Sequence, residues 1–238
     1  IYAFHRAEPP VLKFSPAGEL LKTWGEGMMV RAHGFRVTPD GNIFATDQRG
    51  HRVYKFNTEG EVLLALGEKG VPGEDAEHFG GPADVAQAPN GDFFVADGHD
   101  NNRIVKFEAD GTFIKAWGTK GTGPGQFDLP HTVAFDSRGR LFVGDRGNHR
   151  IQIFDQDGTF IDQWTQFGWP SGIYISPDDT MYVSDYQDKL GITIGSARTG
   201  EVTGYIGGTE PEGVVVDAMG NVYSGEVGGR MLKKFVKQ

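Results

Sequence analysis

Short segments in which apolar and polar residues alternate recur along the whole chain. Three of them are Val53-Tyr-Lys-Phe56, Ile104-Val-Lys-Phe107 and Ile151-Gln-Ile-Phe154. Alternation with a period of two is typical of a half-buried β-strand, and glycine interrupts each segment that could otherwise form a helix. The pattern therefore predicts an all-β chain.

The clearest repeat unit runs from Leu129 to Trp164. Its predicted strands are His131–Phe135, Arg140–Asp145, Arg150–Phe154 and Phe160–Trp164. Turn sequences rich in Asp, Asn and Gly separate these strands, as tight hairpins require. A strand-rich unit of about 40 residues that recurs along a chain is the signature of a β-propeller blade.

Two families of turns locate the other units. Turns between first and second strands contain Gly41, Gly91, Gly139, Asp179 and Gly220, and turns between third and fourth strands contain Gly18, Gly60, Gly111, Gly158 and Gly200. Together they define six units, of which the first lacks its opening strand and the last stops after its third. We therefore predict a six-bladed β-propeller that forms a single domain over residues 1–238. Two connectors rich in Gly and Pro, Glu68–Gly81 and Thr119–Asp128, are predicted to be long loops.

Composition narrows the classes of function. The 238 residues include no Cys, which excludes disulfides and thiolate metal sites. A formal net charge of −9 argues against nucleic acid as the main partner. The chain has no run of about 18 apolar residues, the length that a membrane span requires. We expect a monomer with neither nucleic acid nor a membrane as its partner.

Candidate chemistry lies at the first residues of the predicted first strands, which are His33, Ala83, His131, Ser171 and Glu212. In a propeller the first strand of each blade lines the central channel, so these residues are expected to be neighbours. His33, His131 and Glu212 belong to alternate blades, and two imidazoles with a carboxylate suit a divalent metal. The alternative is that each His caps the start of its strand by a hydrogen bond and that Glu212 is a solvated carboxylate.

A second group of candidates follows the predicted second strands, which end on the face where first strands begin. It includes Arg6, Arg146 and Tyr186, with His99 adjacent. Two arginines could hold a carboxylate, and His99 or Tyr186 could transfer a proton. The alternative is that the arginines pair with neighbouring carboxylates.

A third recurring feature is predicted to be structural. The acid–base pairs that flank turns between second and third strands are Asp47 with Arg52, Asp97 with Arg103, and Asp145 with Arg150. We expect a partly exposed ion pair that stabilises each turn by about 1 kcal/mol.

The sequence Asn148-His149-Arg150-Ile151 resembles the NHL repeat, and related sequences occupy 50–53 and 101–104. Other motifs resemble the lyase domain of peptidylglycine α-amidating enzymes, among them Phe4-His5-Arg6, Ala32-His33-Gly34-Phe35 and Leu129-Pro-His131. This resemblance covers residues 1–165 well and the rest weakly.

The resemblance implies a six-bladed propeller in which zinc held by three histidines cleaves a peptidyl-α-hydroxyglycine to a peptide amide and glyoxylate. By motif, His33 and His131 match two zinc ligands. Arg6 and Arg146 match active-site arginines, and Phe35 matches a residue whose carbonyl helps to bind a structural calcium ion.

The sequence departs from that family at several positions. The third ligand motif, Pro-His-Asp, reads Pro211-Glu212-Gly213 here. Glu212 can still ligate zinc, but Gly213 lacks the carboxylate that would bind calcium, so calcium binding is in doubt. His99 stands in place of the catalytic Tyr of the family. Gly80 and Asp100 replace its disulfide cysteines.

We therefore predict a zinc-dependent carbon–nitrogen lyase acting on a small-molecule or peptide substrate that bears a carboxylate. Its metal ligands are His33, His131 and Glu212, and its catalytic residues are Arg6, His99, Arg146 and Tyr186. The alternatives are a non-catalytic NHL propeller that binds a protein or peptide, and a metal-dependent, lactonase-like hydrolase. Because the sequence starts inside a strand and without Met, we expect an upstream segment with a signal peptide, and a secreted or periplasmic protein.

Overall fold

The computed structural model describes residues 1–237, which divide into two compact units. The first unit, Ile1–Ala116, contains three antiparallel sheets. Their strands are β1 (Tyr2–Phe4), β2 (Val11–Phe14) and β3 (Leu20–Trp24); β4 (Ala32–Val37), β5 (Ile43–Asp47), β6 (Arg52–Phe56) and β7 (Val62–Leu66); and β8 (Pro82–Gln87), β9 (Phe93–Asp97), β10 (Arg103–Phe107) and β11 (Phe113–Trp117).

The second unit begins at Trp117 and also contains three antiparallel sheets, preceded by a short parallel pair. Its strands are β12 (Thr119–Lys120) and β13 (Gln126–Phe127); β14 (Pro130–Phe135), β15 (Leu141–Asp145), β16 (Arg150–Phe154) and β17 (Phe160–Trp164); β18 (Gly172–Ile175), β19 (Thr180–Asp185), β20 (Gly191–Ser196) and β21 (Val202–Ile206); and β22 (Pro211–Val216), β23 (Val222–Glu226) and β24 (Met231–Phe235). One turn of 3₁₀ helix, Arg146–Asn148, joins β15 to β16.

The prediction of an all-β chain in six repeated units is confirmed. The first and last sheets have three strands and the middle four have four, as the turn families indicate. One correction concerns the connector Thr119–Asp128, which is not wholly loop, because β12 and β13 pair within it. No helix among residues 1–237 is long and apolar enough to cross a membrane.

The middle strands of each sheet are the most deeply buried. Every residue of β5, β9 and β15 is buried, whereas the fourth strands β7 and β11 contain only exposed and half-buried residues. Apolar side chains from successive sheets form common clusters. In the first unit, the ring of Phe93 packs on those of Phe44 and Phe107 within one such cluster. Burial of both faces of the middle strands supplies most of the apolar area that stabilises the fold.

Large side chains at the ends of fourth strands pack against the next sheet. Trp117 and Trp164, at the ends of β11 and β17, lie against Gly158 and Gly200 in the turns that follow. Both glycines have positive φ, and a Cβ on either would approach the indole ring to less than 3 Å. Only glycine therefore satisfies the turn and the packing at once.

An acid at the end of each second strand holds the backbone that leads into the first strand of the same sheet. Five sheets show this contact, with distances of 2.7 to 3.0 Å from a backbone N–H to the carboxylates of Asp47, Asp97, Asp145, Asp185 and Glu226. The donors lie two or three residues before the positions at which the candidate metal ligands occur. This repeated contact therefore fixes the start of each first strand.

The predicted acid–base pairs are correct in two sheets and wrong in the third. Arg103 contacts Asp97 at 2.9 Å and Arg150 contacts Asp145 at 2.7 Å. Both carboxylates are fully buried, which corrects the expectation of partly exposed pairs. Burial raises the pKa of Asp97 and of Asp145, despite the hydrogen bonds that both accept.

The physical reason for the difference lies in the two long connectors. Arg103 also donates to the carbonyl oxygens of Asp75 and His78, and Arg150 donates to those of Thr122, Gly123 and Gln126. These arginines therefore hold the connectors in place. Arg52 has a shorter connector before its sheet, and its guanidinium lies over the Tyr54 ring instead, 4.7 Å from the centroid.

Candidate functional site

The two histidines that start first strands share one anchor. His33 in β4 places Nδ1 2.9 Å from the carbonyl oxygen of Ala83, and His131 in β14 places Nδ1 2.7 Å from that of Ser171. A carbonyl oxygen only accepts, so Nδ1 carries the proton and a neutral ring presents the lone pair of Nε2. Both histidines therefore form a capping hydrogen bond of the kind considered from the sequence. The same bond leaves the lone pair of Nε2 available to a metal ion.

In the first unit, His99 lies directly against His33. The two Nε2 atoms are 2.9 Å apart, and the rings are close to perpendicular, with centroids 4.5 Å apart. The His99 N–H donates to the carbonyl oxygen of Gly81 at 3.1 Å. Gly81 has φ of +104°, and a Cβ there would lie 2.8 Å from the Cβ of His99. The position of His99 therefore depends on a glycine at 81.

In the second unit, His131 lies against a carboxylate. His131 is 2% exposed, and its Nε2 is 3.4 Å from Oε1 of Glu212. The same oxygen lies 3.5 Å from the guanidinium of Arg146. An unprotonated imidazole nitrogen and a carboxylate oxygen repel each other unless a proton or a metal ion lies between them. The pair is therefore suited to share a cation.

Two aromatic rings hold the guanidinium of Arg146. Its central carbon lies 4.8 Å from the centroid of Trp169 and 4.5 Å from that of Tyr186, and the planes of the two rings are 23° apart with centroids separated by 6.2 Å. Arg146 is 4% exposed. Asp185, next to Tyr186, accepts the N–H of Trp169 at 2.9 Å. A buried, fixed guanidinium is a strong binding group for a carboxylate.

The predicted site residues thus fall into two groups. The second unit brings together His131, Glu212, Arg146 and Tyr186. The first unit brings together His33 and His99, and the exposed Arg6 donates to the carbonyl oxygen of Ala32, the residue before His33, at 3.3 Å. Trp169 is not among the residues predicted from the sequence, although its position two residues before Ser171 marks it as part of a strand start.

The donor atoms fit zinc better than calcium. The first unit offers the ring nitrogens of His33 and His99, and the second unit offers that of His131 with the carboxylate of Glu212; nitrogen ligands with a carboxylate are what zinc prefers. Calcium requires six to eight oxygen ligands. Gly213 supplies no side-chain oxygen, so of the two positions matched to a calcium site only the backbone carbonyl of Phe35 offers a ligand.

Comparison with solved structures identifies the fold class. Virginiamycin B lyase from Staphylococcus aureus matches all of this chain and 84% of its own, with a TM-score of 0.66 and 15% identity. The WD40 β-propeller domain of Doa1 matches 92% of this chain and 68% of its own, with a TM-score of 0.67 and 16% identity. The NHL repeat model matches residues 79–107 and 127–154. The chain is a six-bladed β-propeller with NHL repeats. At these identities, the structural likeness shows the fold alone.

Comparison by sequence gives relatives of two kinds. Peptidyl-glycine α-amidating monooxygenase B of Xenopus laevis is 41% identical over 147 residues, which are 58% of this propeller and 17% of the relative. A probable peptidyl-α-hydroxyglycine α-amidating lyase of Caenorhabditis elegans is 38% identical over 119 residues, 49% of this propeller and 34% of the relative. NHL repeat-containing protein 3 of Mus musculus is 33% identical over 159 residues, 62% and 46% respectively. The propeller spans less than half the length of each. The resemblance to amidating lyases predicted from motifs is confirmed.

Proposed function

We propose that this propeller is a metal-dependent lyase of the amidating-lyase type, which cleaves a peptidyl-α-hydroxyglycine to a peptide amide and glyoxylate. The observation that carries the proposal is the group formed by His131, Glu212 and Arg146 in the second unit. It combines a ring nitrogen and carboxylate suited to a cation with a clamped guanidinium suited to a carboxylate. The 41% identity to an α-amidating monooxygenase and the 38% identity to a probable α-amidating lyase support this assignment.

The residues that would hold the metal are His33, His131 and Glu212. A zinc ion bound there would supply a Lewis acid that stabilises negative charge on the α-hydroxyl oxygen of the substrate. The carbonyl oxygens of Ala83 and Ser171 keep both imidazoles in the tautomer that this role requires. The identity of the metal as zinc is part of the proposal.

Arg146 would bind the carboxylate of the hydroxyglycine unit. Its present partner, Glu212, is 3.5 Å away, which is longer than a strong charge-assisted hydrogen bond. A substrate carboxylate that makes two bonds of ordinary length would therefore bind more strongly than Glu212 does. Contacts with the two aromatic rings keep the guanidinium in place during this exchange.

The reaction needs two proton movements. The α-hydroxyl group loses its proton as its oxygen becomes the aldehyde oxygen of glyoxylate, and the amide nitrogen gains a proton as the carbon–nitrogen bond breaks. Tyr186 lies on the Arg146 guanidinium and is therefore beside the substrate carboxylate in this arrangement. We assign it to relaying the proton that the α-hydroxyl group releases to the leaving nitrogen.

The test is release of glyoxylate from an N-acyl-α-hydroxyglycine by the full chain, at a mildly acidic pH that limits spontaneous breakdown. We expect turnover that a chelator abolishes and added zinc restores. His131→Ala should lower the rate by at least about 1,000-fold, because it removes a ligand of the metal that stabilises the developing charge. His78→Ala is the matched control, since His78 pairs with Asp75 in a connector. A rate equal to the blank with zinc-loaded protein would refute the proposal.

A second candidate is a non-catalytic module that binds a protein or peptide. The observation in its favour is the 33% identity to NHL repeat-containing protein 3 over 62% of this propeller. It predicts peptide binding that is indifferent to chelators and to His131→Ala. Calorimetry with a non-cleavable peptide that ends in a carboxylate, with and without a chelator, separates the two candidates.

A further inference from the structure

The contact between His33 and His99 does not fit the proton-transfer role that the sequence suggests for His99. A group that moves a proton to or from a substrate must present its titrating nitrogen to that substrate. The Nε2 of His99 is instead 2.9 Å from the Nε2 of His33, and both side chains are half-buried. The nitrogen of His99 that could act is therefore directed at another imidazole.

The tautomer of His33 determines whether its Nε2 can accept a hydrogen bond from His99 or share a metal ion with it. Its Nδ1 carries the proton because that atom lies on the carbonyl oxygen of Ala83, so its Nε2 presents a lone pair. Without a metal, the Nε2–H of His99 would donate to that lone pair. With a metal, both Nε2 atoms would ligate the same ion, and the proton of His99 would move to its Nδ1.

The separation is close to what one ion requires. Two nitrogens at about 2.0 to 2.1 Å from a tetrahedral zinc ion lie about 3.3 Å apart. The observed 2.9 Å needs only a few tenths of an ångström of opening. The near-perpendicular rings, 76° between planes, allow both lone pairs to converge on one point without a clash of the ring edges.

The backbone around His99 holds it in this position. Its N–H donates to the carbonyl oxygen of Gly81, and the next N–H, of Asp100, donates to that of Gly80. Asp97, two residues before His99, accepts the N–H of Gly80 from within the buried network around Arg103. These contacts tie the segment after β9 to the segment before β8. His99 is therefore placed by rigid parts of the sheet, as a metal ligand should be.

We propose that His99 is a ligand, together with His33, of the metal ion in the proposed function. This rests on that function for the existence of the ion, and it assigns His99 to metal binding and not to proton transfer.

The test measures metal binding directly, by competition of the full chain against a zinc chelator of known affinity and by the absorption spectrum of the cobalt-loaded protein. We expect His99→Ala to weaken zinc binding by at least about 100-fold, because it removes one of a small number of ligands. His99→Cys should restore tight binding and add a sulfur-to-cobalt absorption band in the near ultraviolet, since thiolate is a good zinc ligand. His78→Ala should change neither measurement.

His99→Tyr separates ligand from proton donor. A tyrosine can transfer a proton but is a poor replacement for a neutral nitrogen ligand, so we expect weak zinc binding in this variant. Unfolding curves of each variant with zinc absent establish that the fold is kept. Unchanged zinc affinity in His99→Ala would overturn the assignment of His99. A His99→Tyr variant with the zinc affinity and the activity of the wild type would overturn it as well. If His131→Ala still loses zinc in that case, the proposed function stands without it; a wild-type chain that binds no zinc contradicts both.

Discussion

His33 and His131 have the same anchor but different neighbours. Each ring donates Nδ1–H to the carbonyl oxygen at the start of the next sheet's first strand. At Nε2, however, His33 meets the imidazole of His99, whereas His131 meets the Glu212 carboxylate, which in turn contacts Arg146. The repeated backbone explains the common anchor. The residues that follow each second strand explain the different chemistry, with nitrogen donors in the first unit and a fixed positive charge in the second.

The largest effect is expected from removing the arginine that supports the segment before His131. Arg150→Ala leaves the fully buried Asp145 carboxylate without its cationic partner and should lower the free energy of unfolding by about 3–5 kcal/mol. Arg52→Ala, the matched change in the sheet of His33, removes a contact with Tyr54 and should cost about 1 kcal/mol or less. Urea unfolding measures both. Equal losses would show that the two sheets use this arginine in the same way.

The next effect tests the positive charge in the second unit. Arg146→Ala should lower kcat/KM for the carboxylate substrate by about 100-fold, because the variant lacks the guanidinium that would hydrogen-bond to the substrate carboxylate. Zinc affinity should stay close to that of the wild type, in contrast to His99→Ala. Arg138→Ala, on a turn where Arg138 pairs with Asp136, is the control. Loss of zinc in Arg146→Ala would show that Arg146 contributes to metal binding, which would contradict its assignment to the substrate carboxylate alone.

A smaller effect should follow from releasing the guanidinium. Trp169→Ala removes one of the two rings on Arg146 and should raise KM about 10-fold, in line with a cation–π contact of about 1–2 kcal/mol. Trp169→Phe keeps an aromatic face and should recover most of that loss. An equal rise in KM in both variants would contradict the cation–π account, because an aromatic face at this position would then not be enough to hold Arg146.

The smallest expected effect depends on pH. Burial alone would raise the pKa of Asp185, but the N–H groups of Asp188, Trp169, Gln187 and Lys189 outweigh it, so its pKa lies below the ordinary value. The ionised carboxylate therefore stabilises the fold above the unfolded-state pKa, and this stability is lost as pH falls through the lower, folded-state pKa. Asp185→Asn should cost about 1–2 kcal/mol at pH 7. The difference from wild type in thermal unfolding should shrink towards pH 3, and a constant difference would contradict the assignment.

The sheets were predictable because their signals are local. Alternation in segments such as Ile151–Phe154 and turn glycines such as Gly158 depend on only a few neighbouring residues, and the predicted strands match β14 to β17 to within one residue. The short parallel pair in the second connector was not predictable, since two-residue strands have no pattern to detect.

The candidate site was less predictable because its contacts join distant parts of the sequence. The positions of His33 and His131 follow from counting along the repeat. The contact of His99 with His33 depends on a backbone path through Gly81 that no sequence pattern indicates. Trp169 was missed because a lone aromatic beside a proline is more often part of a core. Arg52 was assigned an ion pair by analogy with Arg103 and Arg150, although only those two have a long connector to hold.

The most direct test of the central claim is the zinc content of the full chain, purified without added metal and without a histidine tag. Elemental analysis should find about one zinc per chain, and His131→Ala, purified in the same way and shown to be folded, should hold far less. Such a result would establish that the anchored histidines form a metal centre. Less than about 0.1 zinc per chain in the wild type, with no uptake when zinc is added at equal concentration, would contradict the account.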